Sequence, residues 1–488
     1  LKILIIHTYW NYIDYKVKWP TISFIGDNVY LALISDTPAQ YHGGRRVESI
    51  SVCDGVCVCN YNQINDGFPG ETVDCSYSDG SIFKTNVTLS NIVYSLDLSY
   101  SNLTHIKSTA VLRSKTMQEL ILNNNAITDI APDSLMLPEL KRIDLSFNRL
   151  EFIDKETFKN VKKLQYLNLA NNKFTTFEKL TFHHLSNLNE IVLDGNNIGP
   201  SLKEANLFDR SGFGLTQKIK AISISRIKLN VVPDNFFVDA YDLRKLVISD
   251  NNIIDVFEIP FTLEYLDLSD NPIQELSSED FTDLPALKVL KLNNLIISEV
   301  PEYVFEPLHS LTTLELERNM NLTEFDKLAF GKDVLQDPDN FLLEKLSLKG
   351  SRIRRLDKEL LEPFGQLLQL DLQGNPWLCD CNLVWLKELR ITEQYYEHLR
   401  CSTPKPFHNA QIFDLDAKYF TCGAEKRHIG GIVAVVTFCV LSSALAIWIF
   451  LFLPKNQSRG NFIRQMYTPS TAYTVLPLSA NVPELRIN

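Results

Sequence analysis

The residues best able to do chemistry in this chain are its nine cysteines, and their spacing sorts them into groups. Cys53, Cys57, Cys59 and Cys75 form one cluster, Cys379, Cys381, Cys401 and Cys422 a second, and Cys439 stands alone. A cysteine-free stretch of 303 residues separates the two clusters. Even-numbered sets at the borders of a segment read as disulfide frameworks, which persist only in an oxidising compartment. Zinc is the competing reading. Structural zinc sites favour C-x2-C-like pairs with nearby His, whereas the spacings here are C-x3-C-x-C and C-x-C. No nucleophile with a base and no paired acids suggest catalysis, so neither an enzyme nor a cofactor is expected. His183-His184 and Gly212-Phe213-Gly214 are too bare to suggest metal or phosphate binding.

The balance of charge narrows the partners. A formal net charge of -11 and a pI near 5.4 argue against nucleic acid, whose phosphates call for a dense Lys and Arg surface. At 488 residues the chain is also too long for one compact core, since single cores stop growing near ~250 to 300 residues. An elongated or multi-part molecule follows.

Self-similarity supplies the elements that hold the two cysteine clusters apart. The pattern L-x-x-L-x-L-x-x-N-x-L recurs with its second apolar position at Leu96, Leu120, Ile143, Leu167, Ile191, Ile222, Leu246, Leu266, Leu290, Leu314, Leu346 and Leu370. In Leu167-Asn168-Leu169 apolar and polar residues alternate as a half-buried strand requires. Each coil should therefore donate one short strand to a parallel sheet, because no coil can bury its leucines alone. The Asn at 125, 148, 172, 196, 251, 271, 319 and 375 should satisfy backbone groups inside the turn. Ser101, Ile227, Leu295 and Ser351 replace it in four coils, and altered curvature is expected at Ile227 and Leu295. Phe158, Phe182, Phe237, Phe281, Phe305 and Phe330 should stack as a buried spine under the convex side. Two coils are longer by about eight residues, and Gly199 to Gly214 and Gly331 to Asn340 are expected as protruding loops.

With those residues in view, the chain over roughly 53–424 resembles the extracellular leucine-rich repeat family of cell-surface proteins. Cys53, Cys57, Cys59 and Cys75 resemble that family's N-terminal cap, and Asn375-Pro376-Trp377-Leu378-Cys379-Asp380-Cys381 with Cys401 and Cys422 its C-terminal cap. The resemblance implies pairing of Cys379 with Cys401 and of Cys381 with Cys422. It implies an α/β solenoid, a horseshoe of about twelve coils with a parallel concave sheet and disulfide caps. Asn86, Asn102 and Asn321 fit N-x-S/T sequons and would be glycosylated on an exported region, whereas Asn456 should stay bare.

From Ile429 to Leu453 there are 25 residues without a charge, about 38 Å of helix, enough to cross a ~30 Å hydrocarbon layer. The charge bias is a tie, with Lys418, Lys426 and Arg427 before and Lys455, Arg459 and Arg464 after, so the cysteines orient the span with residues before 429 outside. Residues 1–52 are uninformative and read as a misassigned start, a fragment or a signal region, for they open on Leu and hold no clean apolar core. The expected layout is then a cap at 53–90, repeats at 91–376, a second cap at 377–424, a juxtamembrane and transmembrane segment at 425–453, and a cytoplasmic tail at 454–488. A tail of that size should hold no kinase or Toll-type module. Within it Tyr473 and Leu476 form a Tyr-x-x-apolar motif of the kind that sorting adaptors or phosphotyrosine readers use. Cys439 should act as a small apolar residue in the bilayer.

Residues flanking the buried leucines should face the concave side, since strand side chains alternate. At its centre Tyr166, Val192, Val247, Tyr265 and Val289 form the expected contact, aromatic and apolar groups within a polar rim. The leading expectation is a plasma-membrane receptor or adhesion molecule that recognises an extracellular or cell-surface protein and needs a co-receptor for its output. The runner-up is an auxiliary subunit of another membrane receptor or channel.

Overall fold

In a computed structural model, the described residues are 50–422, apart from 54, 64–68, 81–86, 110, 204 and 210–211, and the helix 429–452. Most of 1–52 therefore lies outside the described residues, as do Asn86, Asn456, Tyr473 and Leu476.

Fourteen strands form one sheet: β1 (Val58–Gln63), β2 (Pro69–Asp74), β3 (Val93–Asp97), β4 (Glu119–Ile121), β5 (Arg142–Asp144), β6 (Tyr166–Asn168), β7 (Glu190–Val192), β8 (Ala221–Ser223), β9 (Lys245–Val247), β10 (Tyr265–Asp267), β11 (Val289–Lys291), β12 (Thr313–Glu315), β13 (Lys345–Ser347) and β14 (Gln369–Asp371). Strands β1 and β2 are antiparallel, and every later neighbour is parallel. From β3 onward each strand belongs to one repeat, and its middle Leu or Ile is at most 5% exposed while its flanking residues are mostly half-buried. Such three-residue strands gain little alone, and the buried apolar row running across all of them holds the sheet.

The ladder of asparagines works as expected and shows what each does. Asn148 Nδ2 donates to the carbonyls of Leu122 and Leu145, and its Oδ1 accepts from the Ile127 amide, so one side chain ties two coils. Ser101 and Ser351 keep part of this role: the Ser101 hydroxyl donates to the Cys75 carbonyl, and that of Ser351 to the Leu316 carbonyl while accepting from the Asn319 amide. Ile227 and Leu295 offer no such group, yet strand register runs unbroken past both. At Ile227 the backbones close in instead. The Gly199 amide donates to the Ile227 carbonyl at 2.8 Å, and a Cβ on Gly199 would sit 2.5 Å from the Leu229 nitrogen.

The convex spine forms in two runs. Phe158 stacks on Phe182, and Phe281, Phe305 and Phe330 follow one another at 6.1 and 5.5 Å. The first long coil does not protrude as expected. Its Leu202, Leu207, Phe208 and Phe213, with Leu215 just beyond, are buried, and Phe213 packs edge-on against Phe182 at 4.8 Å, because apolar side chains in an insertion must find a core. The second insertion makes a one-turn helix, Lys332–Gln336, with half-buried Val334 and Leu335. Helix is otherwise scarce on the convex side, where coils of this length leave room mainly for turns and 3-10 segments.

All eight clustered cysteines are bridged: Cys53 to Cys59, Cys57 to Cys75, Cys379 to Cys401, and Cys381 to Cys422. The two C-terminal pairs are those the resemblance implied, and Cys439 is free. Trp377 and Trp385, each at most 1% exposed, plug the last coil's apolar end. Beyond the cap, Ile429–Phe452 is one helix of 24 residues whose side chains are described only for 436–448 and 451. Among the described residues no helix is long and apolar enough to cross a membrane.

Candidate protein-binding face

The concave face is built from two rows of strand side chains, one on either side of the buried leucines. Tyr166, Tyr265 and Val289 fall in the row before the Leu, and Val192 and Val247 in the row after it. Tyr265 and Val289 are direct neighbours, whereas Ser223 stands between Val192 and Val247. Three strands separate Tyr166 from Tyr265, about 19 Å at the spacing of paired strands. The five residues expected to form one patch are all half-buried on the right face, but they do not form a continuous surface.

Each tyrosine carries a cation instead. The Arg142 guanidinium lies 3.9 Å from the ring centre of Tyr166, and the Lys245 ammonium 5.4 Å from that of Tyr265. Burial pushes both phenols above their ordinary pKa, so they stay neutral donors. Asp194 is also pushed up by burial, although the Ser223 hydroxyl and the Ser225 amide both donate to it.

One feature escaped the sequence reading. The residue just before each ladder position takes left-handed backbone in all twelve coils, from Tyr100 (φ 53°) to Gly374 (φ 72°). Eight coils place Asn, Asp or Gly there, which tolerate this conformation, while Tyr100, Phe147, Arg226 and Arg318 do not suit it. The repeated Asn-Asn, Asp-Asn and Gly-Asn pairs were the available signal. Tyr100 and Phe147 are exposed, and Tyr100 stacks on Tyr77, itself left-handed, with ring centres 4.9 Å apart.

The face changes character along its length. Between β3 and β6 lies a depression of about 300 Å³ lined by Asp97, Tyr100, Glu119, Ile121, Asn123, Arg142, Asp144 and Tyr166, among others. Between β11 and β14 the charges pair: Lys291 with Glu315 at 3.0 Å and Lys349 with Asp371 at 3.7 Å, while the Ser347 hydroxyl donates to Glu317 at 2.8 Å. The C-terminal cap also reaches over that end, where Gln369 donates to the Tyr395 hydroxyl and Gln373 to the Gln394 carbonyl.

Cys53, Cys59 and Glu71 come within metal-binding reach of one another, but the two sulfurs are bonded together and offer no thiolate. Of the sequons, Asn102 and Asn321 are exposed, as glycan attachment requires.

The geometry is that of stacked coils with a Leu-x-Leu strand and an Asn ladder, and family models described as "Leucine rich repeat" match residues 138–198 and 261–330, and as "Leucine Rich repeats (2 copies)" residues 115–160. The chain carries leucine-rich repeats. Chaoptin of Tribolium castaneum is 27% identical over 286 residues, 56% of this chain and 35% of chaoptin. Tsukushi of Gallus gallus is 25% identical over 328 residues, covering 66% of this chain and 79% of Tsukushi. Toll-like receptor 7 of Mus musculus is 26% identical over 377 residues, 68% of this chain and 33% of that receptor. The leucine-rich repeat chain thus spans about a third of the length of two of these relatives.

Proposed function

We propose that this is a cell-surface receptor or adhesion protein that recognises another protein through its concave face and catalyses nothing. The observation that carries the reading is an open sheet face, rigidly held by buried leucines, presenting half-buried tyrosines among polar groups. Four disulfides support an oxidising compartment for the repeats. The uncharged sequence from Ile429 to Leu453 supports an anchor in the plasma membrane, with the repeats outside and the tail inside. The net charge of -11 disfavours nucleic acid as the ligand. Similarity to a protein named as a receptor supports the same class.

The full chain displayed on cells should capture at least one protein from a panel of secreted and cell-surface proteins. Capture should weaken by tenfold or more on Tyr166→Ala combined with Tyr265→Ala. A panel without a single specific binder, or a native chain with free thiols in the cytosol, would refute the reading.

A further inference from the structure

We propose that the depression beside Tyr100, lined also by Asp97 and Asp144, seats a lysine or arginine side chain of the protein ligand. This deepens the recognition role of the concave face and rests on it. Tyr100 and Phe147 lie two strands apart in register, on either side of Asn124, which puts their backbones about 10 Å from each other. Behind them Asp97 and Asp144 stand in the same arrangement on either side of Ile121. The exposed Tyr100 ring and two carboxylates lining one depression match a long cationic side chain, whose methylenes lie against apolar surface while the charged head finds acceptors.

The charges in the depression are unequal. Glu119 is 3.5 Å from Arg142 and also accepts from the Ser95 hydroxyl, so those two opposite charges offset each other. Asp97 and Asp144 each accept a backbone amide, from Ser99 and Ser146 at 2.8 Å, and neither forms an ion pair among the described residues. Asn123 lines the same depression, and its Oδ1 is buried with no hydrogen-bond partner. Three acceptors thus lack the donor that a guanidinium or ammonium supplies.

Backbone conformation is a separate reason to regard the rings as chosen for contact. Bulky side chains are disfavoured in left-handed backbone, and eight equivalent positions of this solenoid use Asn, Asp or Gly. Tyr100 stacks on Tyr77 and keeps half its surface exposed, while Phe147 is exposed without an aromatic partner among the described residues. They stand where a ligand can use them.

The test uses the full chain and two fluorescent peptides, one with two arginines separated by a leucine and one with citrulline in their place. The arginine peptide should bind saturably and at least tenfold more tightly than the citrulline peptide. Asp97→Asn with Asp144→Asn should weaken it at least tenfold, whereas Lys345→Gln with Lys349→Gln should change it by less than twofold. Tyr100→Asn with Phe147→Asn should also weaken it at least tenfold, with a melting temperature unchanged or raised. Equal affinity for the two peptides, no saturable binding, or binding indifferent to the two aspartates overturns the proposal. So does loss of binding in the aromatic variant that comes only with a lower melting temperature. A protein ligand that survives the aspartate changes but is lost on Tyr265→Ala removes this seat and leaves the recognition role standing. A chain that captures no protein at all removes both.

Discussion

The two ends of the concave sheet share one scaffold and differ in what their surface charges do. At β3 to β6 the carboxylates of Asp97 and Asp144 line a depression and form no ion pair among the described residues, while Arg142 there is taken up by Glu119 and Tyr166. At β11 to β14 lysines lie against acids, and the C-terminal cap crosses the last strand. Partly exposed pairs of this kind add only about 0 to 1 kcal/mol each, so their main effect is to use up groups that could otherwise meet a ligand. The buried row does not distinguish the ends, since Leu96 and Leu314 are equally inaccessible. Binding capacity in a repeat scaffold therefore sits in the residues that the repeat leaves free.

The comparison breaks first if the scaffold is not equivalent at both ends. Leu167→Ala and Leu346→Ala should each destabilise by about 2 to 5 kcal/mol in urea unfolding, and a much smaller loss at one end would mean a looser core there. Next in size is the C-terminal cap. Replacing Cys379 and Cys401 together by Ser should remove about 3 kcal/mol, read as a lower melting temperature of the whole chain. Gly199→Ala should cost about 1 to 3 kcal/mol, because the added methyl meets backbone that has no room to yield.

A smaller contrast sharpens the difference between the ends. Phe147 and Gly350 occupy equivalent left-handed positions, at φ 53° and 69°. Phe147→Asn should raise stability by about 0.5 kcal/mol, and Gly350→Ala should lower it by about 1 kcal/mol; the same sign for both would remove the strain argument. The smallest effect lies between the ends, at Asp194. Burial raises its folded pKa above the unfolded value, so its ionised form weakens the fold at neutral pH. Asp194→Asn should stabilise at pH 7, and that advantage should shrink as pH falls through the raised folded value toward the ordinary carboxylate range.

Much of the scaffold was legible because a repeat states its own core. Twelve evenly spaced Leu or Ile positions marked the strand centres, and period-two alternation put Tyr166 and Tyr265 on the concave face. Contiguity was not legible, since it depends on which residues align across strands, and Ser223 falls between Val192 and Val247 only through register. The length of the first insertion points outward, whereas its apolar Leu202, Leu207, Phe208 and Phe213 draw it into the core. The left-handed row was visible in the Asn-Asn and Gly-Asn pairs, but only its uniform φ shows Tyr100 and Phe147 to be exceptions.

Hydrogen exchange on the full chain, with and without a captured protein ligand, tests most directly where recognition occurs. Slowed exchange is expected at residues 97–100, 121–124 and 144–148, with 315–318 and 347–350 unchanged. Protection confined to the C-terminal stretches would contradict the assignment of binding to the end where Asp97 and Asp144 form no ion pair.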